Sequence, residues 1–298
     1  MISQIPRLRG FFIYSFMKFL NYNGKHFEEG TPIVTADNRG LRYGDGLFET
    51  IKYKNNTCLL LDDHLKRLWH GIDLLQFAKP KLFTRQYLRD ELDKLIKKNE
   101  ETSARVRLSI FRGKGGLYDA ENDNPQFVIQ TMPLGSNTGT FNVNGLQICV
   151  YRDALKAADA FSNLKHNNFL PYLMGAQFAK GQKCNDAIIL NHHLRICDST
   201  IANIFIIKNG VVHTPPLTEG CVAGVMRQFI QSQLPLIGIE VLESVITEET
   251  LLNADEVFLS NSIYNLRWVA GIGNASYSNK ITRSIYEKLA ETNADVFC

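Results

Sequence analysis

The sequence predicts an α/β (α+β) chain of two domains, and three observations carry that expectation. The chain has 298 residues, more than the roughly 250 at which one hydrophobic core stops growing and a chain divides. Short strand-like runs alternate with amphipathic stretches of helical period along its whole length. Near the middle, Pro133-Leu134-Gly135-Ser136-Asn137-Thr138-Gly139-Thr140 is a run of turn formers that reads as a linker. The expected division is a smaller N-terminal α/β domain over 17–134, a linker at 135–140 and a larger C-terminal domain over 141–298. Residues 1–16 are expected to be an N-terminal extension: either Met17 is the natural start, or they are an appendage. Arg7 and Arg9 precede a short apolar run with no small-residue cleavage site after it, and strand-and-turn patterning begins only at Met17.

The elements follow in order. Met17 to Tyr22 reads as a strand, and Asn23-Gly24 as a hairpin turn. In Ala36 to Thr50, Gly44 and Gly46 let the backbone bend sharply or lie close to a ligand. A helix opens at Asp62-Asp63, with acids where the helix dipole favours them. Its apolar face carries Leu65, Leu68, Ile72 and Leu75. Arg67 lies beside that face, either at the rim of a domain interface or solvated. Thr84 to Asn99 is a second amphipathic helix. Val106 to Arg112 alternates as a strand, Gly113-Lys114-Gly115-Gly116 is a loop, and Gln126 to Met132 is another strand.

The second half reads as a strand at 146–152, a helix over about 168–181 and a strand from Asp186 to Asn191. Asn203 to Lys208 and Val211 to Thr214 form a hairpin around Asn209-Gly210. Gly220 to Gly224 leads into a helix from Val225 to Gln233. A strand (Ile239 to Ser244), a short helix (Thr247 to Asn253), strands at Glu256–Ser260 and Arg267–Val269, and a helix from Thr282 to Thr292 close the chain.

Composition excludes several classes. Hydrophobic residues are 45% and charged residues 21% of the chain, ordinary for a soluble globular protein. A net charge of +3 with no basic run gives no nucleic-acid partner. No stretch is long enough to cross a bilayer, so no membrane partner is expected either. The six cysteines are scattered without a Cys-x-x-Cys pair. That fits reduced thiols in the cytoplasm better than a disulfide framework or a metal site, and no metal is expected.

The stretch with chemical promise is Ala160-Phe161-Ser162-Asn163-Leu164-Lys165-His166-Asn167-Asn168-Phe169-Leu170. A lysine between strand and helix, amid apolar and amide residues, sits in an unusual place for a solvated charge. Burial penalises the ammonium form, and an amine so neutralised can attack a carbonyl. The plain alternative is a surface lysine at a helix start. What changes that reading is an ordered set of motifs around it: Tyr43-Gly44-Asp45-Gly46-Leu47-Phe48-Glu49, His64-Leu65-Lys66-Arg67-Leu68, Leu164-Lys165, Asp198 with Asn203-Ile204-Phe205, Gly224-Val225-Met226-Arg227, and Ala254-Asp255-Glu256-Val257-Phe258.

In these motifs the chain resembles the fold-type IV pyridoxal-phosphate enzymes, which include branched-chain and D-amino-acid aminotransferases and 4-amino-4-deoxychorismate lyase. The resemblance runs from Met17 to the C-terminus. It implies pyridoxal 5'-phosphate as cofactor between two domains, in a homodimer whose loops complete the pocket. It implies Lys165 as the Schiff-base lysine and Asp198 as the acid against the pyridine nitrogen, where the family usually has glutamate. An Asx-turn role is the alternative for Asp198. The phosphate is expected to meet the guanidinium fork of Arg67 and the amides of Val225 and Met226 after Gly224. Ser262 stands where the family often has threonine, and Asn203 belongs to the same cofactor-binding set. Arg107, Tyr43 and Phe48 are candidates for the substrate side.

Within the family, Lys165-His166-Asn167-Asn168, Val222 to Phe229 and Arg112-Gly113-Lys114-Gly115-Gly116 are similar to the lyase. Phe48-Glu49-Thr50 is similar to the aminotransferases, and Phe169 lacks the hydroxyl that branched-chain enzymes carry near the lysine. The expected reaction is conversion of 4-amino-4-deoxychorismate to 4-aminobenzoate and pyruvate, a folate-precursor step. The alternative is an aminotransferase moving an amino group from a branched-chain or D-amino acid to a 2-oxo acid. A family member that has lost activity is a third possibility, with Asp198 its only support.

Overall fold

The computed structural model describes residues 18–121, 123–135 and 138–297. The expected N-terminal appendage, and Ser136 and Asn137 of the expected linker, lie outside them. The described chain forms two sheets. The first is six-stranded, ordered β2-β1-β6-β5-β3-β4, with β1 (Phe19–Tyr22), β2 (Lys25–Glu28), β3 (Gly46–Lys54), β4 (Thr57–Cys58), β5 (Ala104–Arg112) and β6 (Pro125–Met132). Asn23 and Gly24 both take positive φ, 51° and 81°, the hairpin geometry that Asn-Gly favours.

One face of this sheet is covered by α2 (Leu61–Leu74) and α3 (Arg85–Lys98). Leu65, Leu68 and Ile72 of α2 and Leu88, Leu92 and Leu95 of α3 form its core with Ile51, Val106, Leu108 and Ile129. Thr84 starts α3 by accepting a hydrogen bond from the Tyr87 amide at 3.0 Å, which satisfies a donor with no partner inside the helix. A short helix, α1 (Arg39–Tyr43), occupies part of the glycine-rich stretch read as turns. Asn38 caps its start, and Gly44 ends it at φ 66°, a conformation that costs glycine nothing.

The second sheet has nine strands, ordered β12-β11-β10-β13-β14-β7-β8-β9 with β15 on β14. They are β7 (Leu146–Lys156), β8 (Asp186–Asn191), β9 (Ile196–Ser199), β10 (Asn203–Lys208), β11 (Val211–Thr214), β12 (Val241–Glu243), β13 (Glu256–Asn261), β14 (Asn265–Ile272) and β15 (Ala275–Ser276). Helices α4 (Leu170–Gly181), α5 (Val225–Gln233), α6 (Glu248–Leu252), α7 (Lys280–Thr292) and α8 (Ala294–Phe297) complete it.

Strand β7 runs past the expected end at residue 152. Its pairing with β8 shifts register between Tyr151 and Lys156, an irregularity that breaks the simple alternation of the sequence. Strand β14 is also longer than expected, because Asn265, buried in the structure, pairs with Asn261 at the strand's start. No helix among the described residues is long and apolar enough to cross a membrane.

The stretch around Lys165 joins the two sheets. The Phe48 amide donates to the Lys165 carbonyl and the Asn167 amide to the Gly46 carbonyl, both at 2.9 Å. Lys165 is thereby fixed against the first strand residues of β3 rather than left on an open loop.

Candidate active site

A cavity of about 300 Å³ lies between the sheets, lined by Phe48, Arg67, Arg107, Lys165, Asp198, Asn203, Gly224, Val225, Met226 and Ser262 among others. Ten residues singled out in the sequence thus converge on one space. Tyr43 does not line it. It stands at the end of α1, beside Arg39 and Arg42 at 5.6 and 5.1 Å, and borders a second cavity.

The Lys165 ammonium nitrogen sits 4.7 Å from the centre of the Phe48 ring and 5.3 Å from that of Phe169. Burial lowers its pKa from 10.5 to about 7, and Arg67 and Arg107 push the same way against Glu49 and Asp198. A lysine in that range supplies a neutral, nucleophilic amine near pH 7.

Arg67 projects from α2. Its Nε donates to Glu49 Oε1 at 2.9 Å and its Nη2 to Glu49 Oε2, while Nη1 donates to the Ala223 carbonyl at 3.0 Å. His64 Nδ1 meets Glu49 Oε2 at 2.6 Å. Burial alone would raise the Glu49 pKa, but Arg67 and His64 outweigh it and hold the carboxyl at about 2. The side-on fork of Arg67 is therefore taken by Glu49. This modifies the expectation of a fork aimed at phosphate. Of the five N–H donors of a guanidinium, one on Nη1 and one on Nη2 remain. The bond to Ala223 brings these to the start of α5.

That helix start has Gly224 as N-cap and no side-chain cap bond, so its first amides are free for an anion. A Cβ on Gly224 would collide with the Asn203 side-chain oxygen, so only glycine keeps the backbone open here. Ser260 faces Asn203 across β10 and β13. Its Oγ is buried and has no hydrogen-bond partner among the described residues. A phosphate or a comparable anion fits this donor set.

Across the cavity, Asp198 is held by four donors. Asn203 Nδ2 donates to Oδ1 at 2.8 Å, and Tyr172 Oη, the Val222 amide and Lys156 Nζ reach Oδ2 at 2.7, 3.0 and 3.2 Å. Burial, then the neighbouring Asp198, pushes the Tyr172 phenol well above its ordinary pKa, so it serves as a donor. The aspartate is thus no Asx-turn residue but a caged acid at the cavity wall.

Sequence reasoning missed Lys156, Tyr172, Ser260 and Arg105, which also lines the cavity. Arg105 was visible as the alternate residue to Arg107 on one strand, since residues two apart share a face. The others depend on sheet register that local patterning does not carry.

The amino-transferase class IV family matches residues 46–272 of the chain. The chain is 28% identical over 279 residues to a protein of Methanocaldococcus jannaschii provisionally named a branched-chain-amino-acid aminotransferase, covering 92% of this chain and 94% of the relative. It is 30% identical over 250 residues to the aminodeoxychorismate lyase of Vibrio harveyi, covering 83% and 90%. The branched-chain aminotransferase structure of Thermoproteus uzoniensis superposes with a TM-score of 0.82 at 25% identity, covering 91% and 93%. The chain belongs to the class IV amino-transferase family and is a pyridoxal-phosphate-dependent enzyme of the fold-type IV architecture.

Proposed function

We propose that the chain is a lyase that converts 4-amino-4-deoxychorismate to 4-aminobenzoate and pyruvate. The observation that carries this reading is a pair of guanidiniums. Arg105 and Arg107 lie on one face of β5, both line the cavity, and neither makes an ion pair among the described residues. Among the described residues Arg107 donates to Ser109, at 3.2 Å, and stacks over Phe48 at 3.9 Å. Burial, then Arg105, lowers its pKa. Two cations with no anionic partner among the described residues suit a substrate with two carboxylates, and the rings of Phe48, Phe169 and Tyr264 suit a cyclic one.

In this reading Arg67, the amides of Val225 and Met226, Ser260 and Ser262 would hold the cofactor phosphate, and Asp198 would serve its ring nitrogen. Bound there, pyridoxal phosphate supplies a reactive carbonyl and an electron-withdrawing ring. Lys165 would anchor the cofactor and, with its amine free, would take the proton from the amine-bearing ring carbon of the substrate. Arg105 and Arg107 orient the carboxylates during that transfer. The ring C–O bond would then break with aromatisation, and the released enolate would become pyruvate by taking up a proton such as the one Lys165 removed.

The second reading, an aminotransferase, rests on the Methanocaldococcus jannaschii and Thermoproteus uzoniensis relatives. Here the two arginines would take the carboxylates of a dicarboxylic amino donor. We also propose a homodimer. Leu41, Leu117, Tyr118, Phe161, Leu170 and Leu173 are exposed, and Phe161 and Leu170 border the second cavity with Tyr43; large exposed apolar side chains of this kind suit a partner surface. A partner docked there would receive Tyr43.

One assay separates the readings. Incubation of the holoenzyme with 4-amino-4-deoxychorismate releases 4-aminobenzoate if the lyase reading is right. Amino transfer from an amino acid to a 2-oxo acid, with no 4-aminobenzoate formed, contradicts it.

A further inference from the structure

We propose that Lys156 is a positioning residue for the cofactor: it limits the negative charge that Asp198 presents to the ring nitrogen, and so weakens the hold on that nitrogen's proton. The proposal rests on pyridoxal phosphate lying in the cavity, and is independent of which substrate the enzyme takes.

Lys156 ends β7 and is only 6% exposed. Asp198 is the one carboxylate with which it forms an ion pair among the described residues, at 3.2 Å. Its side chain borders the second cavity and not the first, so it approaches Asp198 from behind. An ammonium in such a place is costly to bury unless paired, and here the partner is the acid of the site.

The two oxygens of Asp198 are used unequally. Oδ2 receives Tyr172, Val222 and Lys156, whereas Oδ1 receives Asn203 alone. A carboxylate oxygen has about two acceptor sites; three donors crowd Oδ2, and one site stays open on Oδ1. That oxygen is free for a ring N–H, but it belongs to a carboxylate whose charge an ammonium already offsets. The other titratable groups near Asp198 are Lys165 across the cavity, Tyr172 from α4, Cys197 beside it on β9, and Cys221. Lys156 is the only cation among them on the side away from the cavity.

The test uses the full chain loaded with pyridoxal phosphate labelled with 15N in the ring, as wild type, Lys156→Met, Lys156→Gln and Lys156→Arg. The two neutral variants are expected to move the ring 15N resonance upfield, toward the protonated form. The ratio of protonated to unprotonated nitrogen should rise about tenfold, as for removal of one nearby charge. Lys156→Arg is expected to keep the wild-type resonance. A resonance identical in all four proteins overturns the proposal. So does a pattern in which only Lys156→Met moves, because glutamine keeps the hydrogen bond and lacks the charge. If both neutral variants fail to fold while Lys156→Arg folds, the ammonium is a scaffold charge and the proposal falls. A wild-type protein that takes up no cofactor would instead strike the underlying site assignment.

Discussion

The wall of the cavity drawn from the first sheet and its helices presents Arg67, Arg105, Arg107 and the Phe48 ring. The wall drawn from the second sheet, with the stretch before α4, presents Lys165, Asp198, Asn203 and the open start of α5. The first wall is a set of cations on long side chains, read off alternate strand positions and one helix face. The second sets the buried Lys165 amine and the open helix start beside Asp198 and Asn203, whose side chains are fixed by hydrogen bonds. In the proposed reading, recognition of the substrate's carboxylates falls to the first wall and bond chemistry to the second, with the cofactor phosphate held between Arg67 and the start of α5. Changes on the two walls should therefore produce different kinetic signatures.

The largest expected effect is on the second wall. Lys165→Ala removes both nucleophile and base, so turnover should fall by more than ~1000-fold. Near-normal turnover would break the comparison. On the first wall, Arg67→Met should weaken cofactor binding by about 100-fold, the loss expected from two charge-assisted hydrogen bonds. The apoprotein's affinity for pyridoxal phosphate, measured by fluorescence, checks this. In the proposed lyase reading, Arg105→Met and Arg107→Met should each raise KM for 4-amino-4-deoxychorismate about tenfold and leave cofactor affinity unchanged. A parallel fall in cofactor affinity would show that these guanidiniums serve the phosphate instead.

The smallest expected effect concerns stability. Lys165 titrates at about 7 in the folded chain and at its ordinary 10.5 when unfolded. Between those values the unfolded chain binds more protons, so this position's contribution to stability rises with pH from about 7 to 10.5 and is lost on lowering it. The Tm of the apoprotein should climb between pH 7 and 9, and Lys165→Met should flatten that climb.

Legibility in the sequence differed between the walls as well. Lys165, Asp198 and Gly224-Val225-Met226 sit in contiguous motifs, and Arg67 lies on a helix whose apolar stripe is plain. All of them meet in the cavity. Lys156 escaped notice because β7 continues past its register shift, where the alternation that identifies a strand fails. Ser260 and Tyr172 gained meaning only from what lies across a sheet or behind an acid: Asn203 opposite the serine, Asp198 2.7 Å from the phenol. The role of Glu49 was hidden for a similar reason, since its partners, His64 and Arg67, come from the next helix. The short helix α1 was masked by glycines that the sequence offers equally to turns.

The central claim is that the amine of Lys165 is the one that bonds to the cofactor. Borohydride reduction of the holoenzyme, proteolysis and mass spectrometry test it directly. The account predicts a phosphopyridoxyl group on the peptide containing Lys165, and on no other. The same label on a peptide containing Lys156 or Lys52, two other buried lysines, would contradict it.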